Sequence, residues 1–152
     1  MRVEADDPRR EDVRALLEEH LADMFRTSPA ESVHALDVEA LAAPGVTFLA
    51  ARDDDGALLG VGAVKALPGG EAELKSMRTA PAARGRGVAA AVLTELVAVA
   101  RRTGARHLRL ETGTEPFFEP AVRLYLRHGF VPCGPFADYT HDPHSRYLAL
   151  AL

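Results

Sequence analysis

Leu74-Lys75-Ser76-Met77-Arg78-Thr79-Ala80-Pro81-Ala82-Ala83-Arg84-Gly85-Arg86-Gly87-Val88-Ala89-Ala90-Ala91-Val92-Leu93, running on to Ala100-Arg101-Arg102, decides how the rest of the chain is read. The stretch reads as a strand ending near Thr79, a loop carrying two arginines and two glycines, and a long amphipathic helix that begins at that loop. Such a loop is suited to an anion. The first turn of a helix has backbone N–H groups without intrahelical partners, and the summed peptide dipoles place about half a positive charge there. Gly85 and Gly87 let the main chain approach a phosphate with no Cβ in the way, and Arg84 and Arg86 add fixed charge. The predicted ligand is a pyrophosphate. Gly85-x-Gly87-x-x-Ala90 also matches a dinucleotide-binding turn loosely, but such a turn follows its strand directly, whereas Ala80 to Arg84 intervene here. The Gly-Lys-Ser/Thr ending of a nucleoside triphosphate loop is missing.

The 152 residues correspond to about one domain, and a chain of that length can bury a core without a disulfide or metal staple. Cys133 is the sole cysteine, read as a small buried hydrophobe. His20, His34, His107, His128, His141 and His144 show no metal-ligand spacing, so no metal is expected. The N-terminal Met1-Arg2-Val3-Glu4-Ala5-Asp6-Asp7-Pro8 has no apolar signal core, and no run of apolar residues has the length of a membrane span. These features predict a cytoplasmic protein with no membrane partner. The net charge of −4 argues against a nucleic-acid partner. It leaves room for a small polyanion, because salt screens the overall field within about 8 Å, and Arg78, Arg84 and Arg86 form a local basic cluster.

Working outward, Asp7-Pro8 predicts a helix start followed by Val13, Leu16, Leu17, Leu21 and Met24 at helical spacing. Ser28-Pro29-Ala30-Glu31 predicts a capping box and a second helix through Leu36 and Leu41, stopped by Pro44-Gly45. Val46 to Arg52, Leu58 to Leu67 and Glu71 to Thr79 read as an antiparallel meander, joined by Asp53-Asp54-Asp55-Gly56 and Pro68-Gly69-Gly70. The helix from Gly87 to Thr103, expected to bury Val88, Ala91, Val92 and Val99, ends at Gly104. His107 to Glu111 must then run parallel to the strand before the helix, since a single crossover joins them. A helix from Glu119-Pro120 to Gly129 and two final strands, Phe130 to Phe136 and Arg146 to Leu150, complete the pattern.

Two motifs carry a family resemblance. Arg84-x-x-Gly87-x-Ala89, after a strand ending Met77-Arg78-Thr79-x-Pro81, resembles the acetyl-coenzyme A signature of the GNAT (Gcn5-related) N-acetyltransferases, Gln/Arg-x-x-Gly-x-Gly/Ala, at all three fixed positions. Ala121-Val122-Arg123-Leu124-Tyr125-Leu126-Arg127-His128-Gly129-Phe130 resembles the family helix that ends in Tyr-x-x-x-Gly-Phe. The resemblance covers the chain from roughly Val46 to Phe130 and implies a small single-domain member of bacterial type. It implies a mixed α/β (α+β) fold: a central mixed sheet with an antiparallel N-terminal meander, one parallel βαβ crossover and a C-terminal hairpin, flanked by helices. On this reading residues 1–152 are one N-acetyltransferase domain.

The implied activity is transfer of an acetyl group from acetyl-CoA to an amine, which requires the amine to lose a proton and the departing thiolate to gain one. An alkyl amine has a pKa near 10.4, so it arrives charged at neutral pH, and a carboxylate can take that proton. Period-two spacing places Glu73, Lys75, Met77 and Thr79 on one strand face, and the resemblance makes Glu73 the base. The bland reading of Glu73 is a solvated edge-strand carboxylate that only balances Lys75; Glu71 is the substitute base. The resemblance makes Tyr125 the general acid; its bland reading is a core aromatic. It further implies a splay between the two parallel strands, with Met77 and Thr79 backbone groups on the pantetheine arm. Arg84, Gly85, Arg86, Gly87, Val88 and Ala89 would hold the pyrophosphate, with Thr112, Gly113 and Thr114 nearby. Phe118 departs from the family, which often has asparagine there. The predicted acceptor is a small-molecule amine, met by polar candidates His20, Arg26, His34, Asp138, Tyr139, His141, Asp142 and Ser145, and the C-terminal strand edges permit a homodimer. Two other readings stay open: an acyl-CoA-sensing module without turnover, and a nucleotide-binding oxidoreductase, for which the chain is too short to supply a second parallel crossover.

Overall fold

The computed structural model describes residues 1–33 and 37–152. Seven strands form one sheet: β1 (Arg2–Ala5), β2 (Val46–Arg52), β3 (Leu58–Leu67), β4 (Glu71–Thr79), β5 (His107–Gly113), β6 (Val131–Cys133) and β7 (Ser145–Ala151), in the order β1-β2-β3-β4-β5-β7-β6. The helices are α1 (Glu11–Thr27), α2 (Val38–Leu41), α3 (Val88–Arg102) and α4 (Glu119–Arg127). The meander and the crossover through α3 lie where the sequence pattern puts them, β4 and β5 are parallel, and the C-terminal hairpin forms with a first strand of Val131–Cys133 in place of the expected Phe130 to Phe136.

Three local expectations are corrected. An added strand, β1, pairs antiparallel with β2; with Val3 its one large apolar residue, it carries too little pattern to be read. Asp7-Pro8 makes a turn, closed by Arg10 N–H donating to the Asp7 carbonyl, and α1 begins after Arg10. Ser28 ends α1, its N–H donating to the Met24 carbonyl, and the turn that follows starts at Pro29 without a side-chain cap, so the expected capping box does not form. A single 3₁₀ turn follows at Ala30–Ser32, and Asp37 caps the short α2 by accepting from Ala40 N–H. Leu36, expected in the second helix, lies outside the described residues.

The sheet is buried on both faces. Val13, Leu16 and Leu17 of α1 and Leu41 of α2 pack on Phe48, Ala50, Val61 and Ala63. On the opposite face α3 lays Val88, Val92, Leu93, Leu96, Val97 and Ala100 against the strands, joined by Leu124 and Tyr125 of α4 and by Phe130. The buried stripe of α3 is therefore turned from the one expected, with Ala91 and Val99 only half-buried.

Candidate active site

Two irregularities of the sheet open a cleft in it. The first is the end of the parallel ladder. β4 and β5 pair only at Glu71–His107, Ala72–Leu108 and Glu73–Arg109, although β4 runs on to Thr79 beside β3 and β5 runs on to Gly113 beside β7. Beyond Glu73 the two strands diverge, so their facing edges carry no strand-to-strand ladder. The second is a bulge. Arg78 pairs with Val61 and Lys75 with Ala63, so Ser76 and Met77 together face Gly62, and Ser76 takes φ 56°.

The bulge corrects the period-two reading. Up to Lys75 the alternation holds: Ala72 and Leu74 belong to the α3 side, while Glu73 and Lys75 face the side of α1 and the C-terminal loop. After the extra residue the phase is reversed. Met77 packs with the α3 core, and Arg78 turns to α1, where its Nη2 donates to Glu19 at 2.8 Å and ion-pairs with Asp23 at 2.7 Å. Arg78 is 8% exposed, so its guanidinium does not stand with those of Arg84 and Arg86 as the basic cluster required. Burial works against the charge on Asp23, but hydrogen bonds from Arg78 and Arg26 outweigh it and hold its pKa below the ordinary carboxylate value.

The cleft between the diverging strands has a volume of about 640 Å³, within the range of small-molecule sites. One end is the loop before α3. There Arg84, Gly85, Gly87, Val88 and Ala89 line the cleft, and Arg86 stands exposed beside them. Gly85 and Gly87 both have φ 76°, a left-handed conformation that a side chain would strain, and among the described residues no side chain caps the first turn of α3 at Gly87. The open N–H groups of that turn are thus presented at the end of the cleft. Met77 and Thr79 line one wall, and Thr112 and Gly113 the other; Thr114 is exposed outside it. Phe118 fills the place against Gly113 so tightly that a Cβ there would lie 2.2 Å from its ring.

At the other end sits Glu73, 4% exposed. Its Oε2 accepts from Lys75 Nζ at 3.0 Å and from the Tyr139 hydroxyl at 2.5 Å, and Lys75 Nζ also donates to Tyr139 Oη at 3.0 Å. Both members of the Glu73–Lys75 pair are buried, so this is not the solvated edge-strand balance of the bland reading. Burial, followed by the hydrogen bond to Glu73 and the charges of Glu73 and Glu111, raises the Tyr139 pKa above its ordinary value. Tyr125 lines the α4 side of the cleft, and burial raises its pKa too, keeping the phenol protonated. Glu71, the substitute base, is instead tied to His107 and Arg109.

Of the acceptor candidates, His20 and Tyr139 line the cleft. Asp142 accepts from Ser32 Oγ at 2.6 Å, Arg26 is paired with Asp23, and Asp138 and His141 are exposed. His34 lies outside the described residues. Burial, then the neighbouring Arg78 charge, lowers His20 to about 4. His20 Nδ1, Ser76 Oγ and Arg78 Nε are buried without a hydrogen-bond partner among the described residues. Glu111, which lines the cleft, was missed; its place at the end of β5, just before Thr112-Gly113, was the available signal. Among the described residues no helix is long and apolar enough to cross a membrane.

Residues 13–130 match the family described as the acetyltransferase (GNAT) family. The chain is 47% identical over 150 residues to an uncharacterized N-acetyltransferase, YedL, of Escherichia coli strain K12, covering 99% of this chain and 94% of that one. It is 43% identical over 152 residues to another uncharacterized N-acetyltransferase, YsnE, of Bacillus subtilis strain 168, with both chains covered in full. A Klebsiella pneumoniae crystal structure, provisionally assigned as an acyl-CoA N-acyltransferase, superposes with a TM-score of 0.82 at 28% identity, covering 99% of this chain and 97% of that one.

Proposed function

Because the chain belongs to the GNAT family of acetyltransferases, we propose that residues 1–152 act as one domain that transfers the acetyl group of acetyl-CoA directly to a small-molecule amine within a ternary complex. The observation that carries this reading is the splay: it joins the glycine loop before α3 and the Glu73 cluster in one cleft. Direct transfer needs donor and acceptor to meet there at the same time.

The residues present fit the donor. A pyrophosphate suits the positive end of α3, with Arg84 and Arg86 adding charge and the left-handed Gly85 and Gly87 removing side-chain obstruction. The pantetheine arm is a chain of amides, and the diverging edges of β4 and β5 offer it strand-like partners around Met77 and Thr79. Arg78 contributes backbone only, its side chain being held by α1. Glu73 is the base that takes the amine's proton, and Tyr125, kept protonated by burial, returns one to the departing thiolate.

Thermal melting tests the reading. Acetyl-CoA at 100 times its dissociation constant adds about 2.7 kcal/mol, or roughly 5–10 °C for a chain of this length, and initial rates with an amine found by thiol release should give intersecting patterns. A shift with NAD and none with acetyl-CoA, or parallel rate patterns, would overturn it.

A further inference from the structure

Glu73 and Tyr139 both line the cleft, and the phenol is the more open of the two. The Glu73 Oε2 already accepts two hydrogen bonds, from Lys75 and Tyr139, and the carboxylate is sealed at 4% exposure. Tyr139 is half-buried and lines the cleft. Its ring is held in place by an aromatic cluster, with centroids 5.0 Å from Phe136 and 5.8 Å from Tyr147. The loop that carries it is tied down twice more, by Tyr147 Oη donating to the Thr140 carbonyl at 2.8 Å and by Ser32 Oγ donating to Asp142. A phenol held this firmly, facing the cleft and bonded to a nearly buried carboxylate, is placed to bridge the two.

Resting on the assignment of Glu73 as base, we propose that the Tyr139 hydroxyl relays the acceptor's proton to Glu73. In this step the ammonium donates an N–H to Tyr139 Oη. The phenolic O–H bond breaks as its proton bonds to Glu73 Oε2, and the ammonium N–H bond breaks as its proton restores the phenol. The products are a neutral amine, an unchanged tyrosine and a protonated Glu73 beside the Lys75 ammonium. The amine lone pair then bonds to the thioester carbonyl carbon and the carbon–sulfur bond breaks. One further proton from the amine nitrogen ends on the thiol by way of Tyr125, and the proton on Glu73 returns to solvent. The concerted shift forms no free phenolate, in keeping with the raised pKa of the Tyr139 phenol.

The charged and titratable groups around the relay come from every neighbouring element. Lys75 is on β4 itself, Lys65 on β3 and Arg109 on β5 are register partners of Glu73, and Glu111 on β5 and Tyr147 on β7 act on Tyr139. On α1, Glu19 and Asp23 are taken by Arg78, and His20 stays neutral above pH values near 4.

The test uses acceptors that differ in charge. Ethylamine and benzylamine are cationic at neutral pH, whereas hydroxylamine is already neutral and needs no relay before it attacks. Thiol release from acetyl-CoA is measured with each for the full chain, Tyr139→Phe and Glu73→Gln. Tyr139→Phe keeps the ring in its cluster and should slow the alkyl amines by about 10²-fold at neutral pH, in the range of a general-base contribution. It should change the hydroxylamine rate by less than about threefold, and the loss with each cationic amine should close as pH approaches that amine's own pKa, earlier for the less basic benzylamine than for ethylamine. The ratio of the two rates is independent of how much variant is folded. Equal losses with both kinds of acceptor, or an unimpaired Tyr139→Phe beside an impaired Glu73→Gln, would overturn the relay alone. A silent Glu73→Gln, or no thiol release by the wild type with any of the three, would instead overturn the reading on which the relay rests.

Discussion

Gly62→Ala tests the packing that holds the cleft open. Gly62 faces the Ser76–Met77 bulge, and a Cβ built there lies 2.6 Å from Met77 Sδ, 2.8 Å from Leu96 Cδ1 and 2.9 Å from Val92 Cγ1. The Met77 thioether can swing aside, since it ends a flexible chain. Leu96 and Val92 cannot yield so easily: they are 0% and 1% exposed and sit on the same helix, so relief means moving α3 off the sheet. Overpacking by one methyl costs about 1–3 kcal/mol, and two rigid contacts under 3.0 Å favour the middle of that range, about 2 kcal/mol. At about 2–4 °C per kcal/mol for this chain length, the melting midpoint should fall by about 4–8 °C. Moving α3 also moves the glycine loop at its start, so the KM for acetyl-CoA should rise several-fold while kcat changes less. Gly87→Ala is the contrast: nothing lies within 4 Å of its Cβ, and the cost of about 1–2 kcal/mol comes from backbone at φ 76°. Melting curves of both variants, with acetyl-CoA titrations of each, are the assay. A Gly62→Ala midpoint within about 1 °C of the wild type would refute the packing argument.

His20 binds a proton near 6.5 when unfolded and only near 4 when folded, so stability is full above about pH 6.5 and falls by about 3 kcal/mol as pH drops toward 4. His20→Gln should flatten that part of a urea-denaturation series against pH, and an unchanged slope would count against burial as the cause. Arg52 holds the Asp6 and Asp12 carboxylates and the Gly56 carbonyl; Arg52→Met removes those charge-assisted bonds while Arg10 still pairs with Asp6, so urea denaturation should show a loss of about 1.5–3 kcal/mol, and an unchanged stability would refute the role of the network. Arg84→Ala should raise the KM for acetyl-CoA with little change in kcat, and should have no effect on a truncated acetyl-pantetheine donor; equal losses with both donors would make the loop merely structural. Tyr125→Phe should slow turnover by about 10²–10⁴-fold with no recovery at high pH, whereas recovery would assign Tyr125 to amine deprotonation instead.

What could be read in the sequence was what neighbours in the chain decide. The loop before α3 was legible because its chemistry is local: two glycines free to adopt φ 76°, and a helix start with unpartnered N–H groups, all within one short stretch. Glu73 and Lys75 were placed on one face because two residues of strand suffice to decide it. The same rule failed two residues later, because a bulge is decided between strands. Ser76 carries no residue signature for φ 56°, and the extra residue shows only when Lys75 and Arg78 are set against Ala63 and Val61. That one residue sent Arg78 to α1 and Met77 to α3, reversing the expectation for both. At Ser28 the Ser-x-x-Glu pattern was legible but only a single 3₁₀ turn with no side-chain cap followed, because that pattern does not report whether a helix continues beyond it. Tyr139 was visible only as a polar member of a turn-rich loop; its bond to Glu73 spans 66 positions and depends on β7 lying between β5 and β6. The glycine-loop end of the cleft is thus written in consecutive residues and the Glu73 end in a tertiary contact. Substitutions in the glycine loop should therefore act through local backbone, whereas the chemistry of Glu73 should respond to changes as distant as Phe136 and Tyr147, which touch neither ligand but hold the phenol that touches Glu73.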